Sequence, residues 1–161
     1  MAPSKSVLVT LWHAHLTDLR AALLASQQGA RAGTRVDGVH RPATRGERAA
    51  VTSQGYLALG LGQRVEAIEQ HLFTMTRMGD GHRSQAVVGA MIGLQDVDKP
   101  IEWLALLPGG DATTISVEGT EVRVLSAQSP LARQLRELEC GDVVELVRNG
   151  VPVELELVHI G

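Results

Sequence analysis

Histidine and cysteine side chains, which could bind a metal or act as nucleophiles, are scattered along this chain. His13 and His15 stand two residues apart, so on a helix their rings would point in different directions. Cys140 is the only cysteine, which excludes an intramolecular disulfide and an all-cysteine zinc site. The Gly141-Asp142 turn after it favours an inert thiol. We therefore expect no metal site, no cofactor and no catalytic residues of the chain's own.

The glycines of the segment GYLALGLGQR, which begins at Gly55, resemble part of a phosphate-binding motif. They lie within a helical pattern instead of following a strand, so a phosphate loop is not expected. The chain has 161 residues, of which 44% are hydrophobic, 20% charged and 2% aromatic. This balance is typical of a folded cytoplasmic protein without a membrane span. So few aromatic residues argue against a function based on aromatic stacking with nucleic-acid bases.

Charge is unevenly distributed between the two halves of the chain. Residues 1–83 carry ten Lys and Arg against six Asp and Glu, whereas residues 84–161 carry five against twelve. Two acidic residues, Asp37 and Glu47, stand among the arginines that concentrate the positive charge, which are Arg31, Arg35, Arg41, Arg45 and Arg48. This segment could be a solvated basic loop or a contact surface for an anionic partner.

Residues 1–80 show the apolar spacing of two helices. The first pattern runs from Lys5 to Gln28, with a stop predicted at Gly29, and comprises Leu8, Trp12, Leu16, Leu19 and Leu23. The second runs from Glu47 to Met78 and comprises Leu57, Leu61, Val65, Ile68, Leu72 and Met75. Five glycines and prolines interrupt residues 29–46, which predicts a tip loop. The sequence therefore predicts an antiparallel helical hairpin of the coiled-coil kind, ending at a domain boundary near residues 79–84.

Residues 84–161 change to short runs rich in Val, Ile and Leu. Strands are predicted near residues 86–95, 101–107, 121–125, 143–147 and 153–158. Asn149-Gly150 predicts a tight hairpin turn between the last two strands. Ser129 and Pro130 are typical of a helix start and precede one short helix. The predicted fold class is therefore α+β, with an antiparallel sheet and one helix in the second domain.

The segment from Ser129 to Glu145 carries a recognisable motif. Ser129-Pro130-Leu131-Ala132-Arg133, then Leu135, then Gly141-Asp142-Val143-Val144-Glu145 resembles the signature of Gre-type bacterial transcription elongation factors. Residues 56–68 also resemble the second-helix segment of divergent members. The resemblance implies an FKBP-like second domain that docks at the rim of the RNA polymerase secondary channel, with the hairpin entering that channel.

The resemblance assigns roles to particular residues. For docking to polymerase we expect Ser129, Pro130 and Arg133, because a capped helix start on a domain surface presents fixed groups to a partner; the alternative is that Ser129 and Pro130 only begin the helix. Acidic tip residues of the family help to bind a catalytic Mg²⁺ in the polymerase active centre, so the polymerase remains the enzyme and the factor at most stimulates RNA cleavage. Here Asp37 and Glu47 are the candidates to reach that metal.

The tip departs from the family pattern, because Asp37 and Glu47 are ten residues apart instead of adjacent. The surrounding arginines would repel Mg²⁺ by about 1–4 kcal/mol per unit-charge pair near 4 Å. Arg41 and Arg45 could instead contact the nascent RNA. We expect little cleavage stimulation, and competition with cleavage-competent factors.

Two other functions are compatible with the sequence. A stand-alone FKBP-like isomerase or chaperone would need an aromatic pocket, for which the second domain offers only Trp103. A DNA- or RNA-binding adaptor would use the arginine-rich loop and would bind less tightly as salt rises. In the preferred interpretation the protein is a cytoplasmic monomer whose partner is bacterial RNA polymerase.

Overall fold

The computed structural model describes residues 1–34, 44–79, 81–97 and 99–161, and within them it shows three helices and six strands. In chain order these are α1 (Lys5–Ala32), α2 (Arg45–Arg77), β1 (Met91–Gln95), β2 (Glu102–Leu106), β3 (Asp111–Val117), β4 (Thr120–Leu125), α3 (Pro130–Leu135), β5 (Val143–Arg148) and β6 (Val151–Ile160). The predicted α+β fold class is confirmed.

The chain divides into two compact units, which are described separately. The sheet unit comprises Met1–His13 and Thr74–Gly161, and it therefore includes the first turns of α1 and the end of α2. The hairpin unit comprises Ala14–Phe73. No helix within the described ranges combines the length and the apolar character needed to cross a bilayer.

Within the hairpin unit, α1 and α2 run antiparallel. Arg20 Nε donates to Glu69 Oε1 over 2.8 Å, and Gln27 Nε2 donates to the carbonyl oxygen of Ala58 over 3.3 Å. Residue numbers thus rise along one helix as they fall along the other, which is the predicted hairpin. The buried residues of its seam are Leu16, Leu23, Gln27, Ala30, Ala58, Val65 and Ile68.

The predicted stop of the first helix at Gly29 is wrong, because α1 continues to Ala32. Gly33 N donates to Gly29 O over 3.2 Å, so the helical hydrogen-bond pattern passes through the glycine. Glycine inside a helix costs about 1 kcal/mol relative to alanine, and burial of Ala30 in the seam offsets that cost.

The six strands form one sheet in the order β3-β4-β2-β1-β6-β5. The predicted antiparallel sheet needs one correction, because β2 and β4 pair in parallel and all other neighbours are antiparallel. The β3–β4 hairpin folds back so that β4 takes the place beside β2. The strand predicted over residues 86–95 begins only at Met91, since Gly89 turns the chain with a φ of 90°.

The short helix α3 packs on one face of the sheet, which we call the inner face. Ala132 and Leu135 of α3 belong to the same buried cluster as the inward-facing strand residues, among them Ile92, Leu94, Leu104, Leu106, Leu155 and Leu157. These strand residues occur at every second position of the pleated strands. On β1 and β2 the residues between them, Met91, Trp103 and Ala105, are buried as well, whereas β5 exposes its alternate residues. We call the opposite side of β5 and β6 the outer face.

Candidate functional site

The start of α3 is fixed by a helix cap. Ser129 has an extended backbone, and its Oγ accepts a hydrogen bond from Ala132 N over 3.2 Å. Pro130 occupies the first turn, where its missing N–H costs no hydrogen bond. Pro130 and Arg133 are exposed, whereas Ala132 and Leu135 anchor the helix in the core. The cap thus holds two exposed side chains in fixed positions, as a docking surface requires.

A groove of about 440 Å³ lies beside this helix. It is bounded by β4, α3 and β5, and its lining residues include Arg123, Leu131, Gln134, Leu146 and Arg148. Its polar groups would face any side chain that entered from a partner bound at the α3 start.

Two arginines that line the groove share one carboxylate. Arg123 Nη2 lies 3.1 Å from Glu102 Oε1, and Arg148 Nη2 donates to Glu102 Oε2. Two guanidinium groups on one carboxylate leave one positive charge in excess, and the carboxylate of Glu145, which lines the same groove, balances it. The sequence did not predict this cluster, because its three members come from three different strands.

At the start of α2 the structure shows a capping box, formed by Thr44 and Glu47. Thr44 N donates to Glu47 Oε2 over 3.1 Å, and Glu47 N donates to Thr44 Oγ1 over 3.2 Å. The reciprocal pair satisfies donors that the helix start would otherwise leave free. Glu47 therefore already has a structural role at its carboxylate. The sequence T-x-x-E over residues 44–47 is the signal that could have identified it.

The remaining tip candidates are only partly described. Asp37 and Arg41 lie outside the described residues. Arg45 and Arg48 are exposed in the first turn of α2, on either side of Glu47. Across the described residues no group of three or more His, Cys, Asp and Glu could hold a metal ion. Among the described tip residues Glu47 is the one carboxylate, and its Oε2 accepts the hydrogen bond from Thr44 N.

The histidines and the cysteine weighed for chemistry lie apart from the α3 start. His13 is exposed and His15 is partly buried on α1. Exposed Cys140 lines a groove with His82 and Glu139. Burial, and secondarily the charge of His82, lower the pKa of His159.

Trp103, the aromatic residue considered for an isomerase pocket, is only 6% exposed. Its ring packs edge-on against His159 with 5.3 Å between ring centroids. The side chain is therefore mostly buried, and it is the one aromatic residue among those that line a groove with Ile101 and Thr114.

Comparison with known proteins gives matches only among solved structures. No protein-family model and no curated protein matches the chain. GreA factor homolog 1 (Gfh1) of Thermus thermophilus is 16% identical, with 92% of this chain and 94% of that chain covered and a TM-score of 0.37. A second structure of the transcription factor Gfh1 is 17% identical, with 92% of both chains covered and a TM-score of 0.40. Gfh1 of Thermus aquaticus is 18% identical, with 91% of both chains covered and a TM-score of 0.39.

Proposed function

We propose that this protein is a Gre-like regulator of transcription elongation that binds bacterial RNA polymerase at the rim of its secondary channel. The observation that carries the proposal is where the Gre-like motif lies. Ser129, Pro130 and Arg133 form a capped helix start whose apolar side is anchored in the core and whose other side is exposed. The Gly141–Glu145 part of the motif leads into β5, which borders the groove beside that helix.

The hairpin supplies the second part of the proposal. Two long antiparallel helices present an arginine-rich tip, and the described tip carboxylate is held in a capping box. A tip of this kind that enters the channel occupies the route of nucleotides and backtracked RNA without completing a metal site. We infer that the protein inhibits cleavage by competing with cleavage-competent factors, and that its arginines contact RNA or an acidic surface in the channel.

Binding tests the docking part of the proposal. Full-length protein is incubated with bacterial core RNA polymerase at micromolar concentration, and association is measured by pull-down and by titration. Pro130→Arg and Arg133→Ala should each weaken binding by about tenfold or more, because each changes an exposed group at the centre of the proposed interface.

The matched control is Arg136→Ala, which removes the same charge from an exposed position at the end of the same helix. It should leave affinity within about twofold. Absence of binding by the unaltered protein would refute the docking proposal. Parallel losses of melting temperature and affinity in Pro130→Arg and Arg133→Ala would show that these residues only build the helix.

An RNA-cleavage assay on stalled elongation complexes tests the sign of the activity. We expect little stimulation by the protein alone and reduced stimulation by an added cleavage-competent Gre factor. Glu47→Gln is the informative tip variant, since glutamine keeps a capping-box acceptor and removes the charge, whereas Glu47→Ala removes both. Strong stimulation that is lost in Glu47→Gln or in Asp37→Ala would show instead that the tip supplies metal-binding carboxylates.

A further inference from the structure

The outer face of the β5–β6 hairpin exposes valines alongside carboxylates. Val143, Glu145 and Val147 of β5 are all exposed, with 59% of Val143 and 73% of Val147 accessible to solvent. In register opposite them lie Glu156, Glu154 and Pro152 of β6. A groove of about 210 Å³ borders this face, and Val143, Glu154 and Glu156 line it together with Gln95, Asp96 and Val97.

Like charges face each other across this hairpin. Glu145 and Glu154 are direct cross-strand partners, and like charges in that arrangement destabilise a sheet. Among the described residues neither Glu145 nor Glu154 takes part in an ion pair, whereas the carboxylates of Glu69, Asp96 and Glu102 do. A partner that brings positive charge to this face would remove the repulsion.

Backbone groups of the same residues point away from the sheet. A two-residue turn, Asn149-Gly150, joins the strands, with φ of 52° and 79°. Counting from that turn, Val143, Glu145 and Val147 occupy the non-hydrogen-bonded positions of the ladder, so their N–H and C=O groups point towards the free edge of β5. Across the described ranges these groups have no hydrogen bond with another segment.

The opposite edge of the sheet is built differently. β3 carries a register shift between Asp111 and Thr114, and Ala112 has a φ of 73°, in the left-handed region. Asp111 Oδ1 also accepts a hydrogen bond from Thr113 N. Bulges of this kind protect an edge from pairing with another chain. By contrast, β5 keeps an unbroken register from Val143 to Arg148.

We propose that the free edge of β5 binds an extended segment of a partner protein, in which Lys or Arg alternates with apolar residues. The segment adds a strand to the sheet, its backbone pairs with Val143, Glu145 and Val147, its cations face the carboxylates and its apolar side chains cover the valines. A second copy of this chain does not fit, because edge-to-edge pairing of two β5 strands brings like charges together. Glu145 and Val147 also line the groove beside α3, so the test uses a free peptide without polymerase, and its failure would leave the polymerase proposal untouched.

The test uses the full-length protein and a fluorescein-labelled peptide of alternating Lys and Val, with affinity measured by fluorescence anisotropy. Control peptides alternate Glu with Val, which reverses the charge, and Lys with Pro, which keeps the charge but cannot pair as a strand. Only the Lys-Val peptide should bind, and its affinity should fall as salt rises.

Three variants identify the surface. Glu145→Lys should weaken binding about tenfold or more, since it replaces an attraction by a repulsion. Val147→Pro removes one outward N–H at a position where a proline leaves the ladder intact, as Pro152 opposite it already does, and it should weaken binding several-fold. Glu137→Lys makes the same charge change at an exposed site outside β5 and should have little effect.

Circular dichroism and the melting temperature establish that each variant is folded. If Val147→Pro unfolds, the double variant Glu145→Gln with Glu154→Gln replaces it and should also weaken binding. Three results would overturn the proposal: no binding of the Lys-Val peptide at low salt, equal loss in Glu137→Lys and Glu145→Lys, or equal binding of the Lys-Pro peptide. Self-association of the free protein through β5, measured by sedimentation and abolished by Val147→Pro, would assign the edge to a second copy instead.

Discussion

The sheet unit and the hairpin unit bury their interiors by different means. In the sheet unit the inner face is filled by aliphatic side chains, and Ile92, Leu104 and Leu157 are completely buried. In the hairpin unit the seam changes along its length from Leu16 and Leu23 to smaller residues and one buried amide. That amide belongs to Gln27, which packs where α2 carries Gly62.

The two units are therefore specified differently, one by the apolar volume that it buries and the other by the fit of a single polar side chain. The inner face depends mainly on apolar volume, and its free energy comes from surface removed from water. The seam near Gln27 depends on a fit, since the amide that donates to Ala58 O lies where a side chain at position 62 of α2 would stand. A buried polar group of this kind costs stability but favours one register of two helices over others.

The largest expected effect is in the sheet unit. Leu104→Ala should lower the free energy of unfolding by about 2–5 kcal/mol, because it leaves a cavity in a fully buried cluster. Urea denaturation followed by tryptophan fluorescence measures the change. The control Val147→Ala, at an exposed position, should change stability by no more than about 0.5 kcal/mol. A similar small loss in Leu104→Ala would contradict a core that depends on volume.

Two glycines of α2, Gly60 and Gly62, test whether the seam of the hairpin unit depends on the fit of Gln27. Gly60 has open space around it, so Gly60→Ala should stabilise the helix by about 0.5–1 kcal/mol. In Gly62→Ala the new Cβ would lie 2.6 Å from Gln27 Nε2, so the amide must shift, which strains its 3.3 Å hydrogen bond to Ala58 O. We expect Gly62→Ala to be about 1 kcal/mol less stable than Gly60→Ala, measured by thermal unfolding of the helical signal.

A second-site variant tests the cause of that difference. Gln27→Ala removes the amide, and in this background Gly62→Ala should recover the stabilisation that alanine normally gives a helix. If the two glycine variants behave alike in the original background, the seam is not specified by the fit of Gln27 against Gly62.

The smallest expected effect is that of the Arg20–Glu69 ion pair on the hairpin surface. Both side chains are well exposed, at 39% and 45%, so water and salt screen their attraction. A double-mutant cycle with Arg20→Ala and Glu69→Ala should give a coupling of about 0.2–1 kcal/mol. The coupling should shrink in high salt. A larger value that persists in salt would mean that the hairpin depends on electrostatics more than on its seam.

Local signals in the sequence predicted much of the fold. Apolar spacing indicated both long helices, Ser129-Pro130 indicated the start of α3, and Asn149-Gly150 indicated the last hairpin turn. The end of α1 was misplaced because a glycine weakens a helix without ending it when the seam continues beyond it. Parallel pairing of β2 with β4 was missed because β3 lies between them in sequence, and alternation does not encode which strand is the neighbour.

The candidate site was less predictable than the fold, because part of it is assembled from strands that are distant in sequence. Ser129, Pro130 and Arg133 were proposed from the sequence because they are consecutive or nearly so, and in the structure Pro130 and Arg133 are exposed whereas Ser129 is partly buried. Glu102 pairs with Arg123 and Arg148 only in the folded sheet, so no local sequence pattern predicts this cluster. The docking role of the three α3 residues and the tip role of Asp37 and Glu47 stay predictions.

The hydrogen bond from Trp12 Nε1 to the carbonyl oxygen of Pro108, at 2.9 Å, places an indole of α1 in the interior of the sheet unit. Both tryptophans of the chain, Trp12 and Trp103, lie in that unit, whereas the only tyrosine, Tyr56, lies exposed in the hairpin unit. Tryptophan fluorescence therefore comes from the sheet unit and tyrosine fluorescence from the hairpin unit. Tryptophan fluorescence, excited selectively, therefore reports on the sheet unit alone. We expect unfolding confined to the hairpin unit, Ala14–Phe73, to leave the tryptophan fluorescence nearly unchanged.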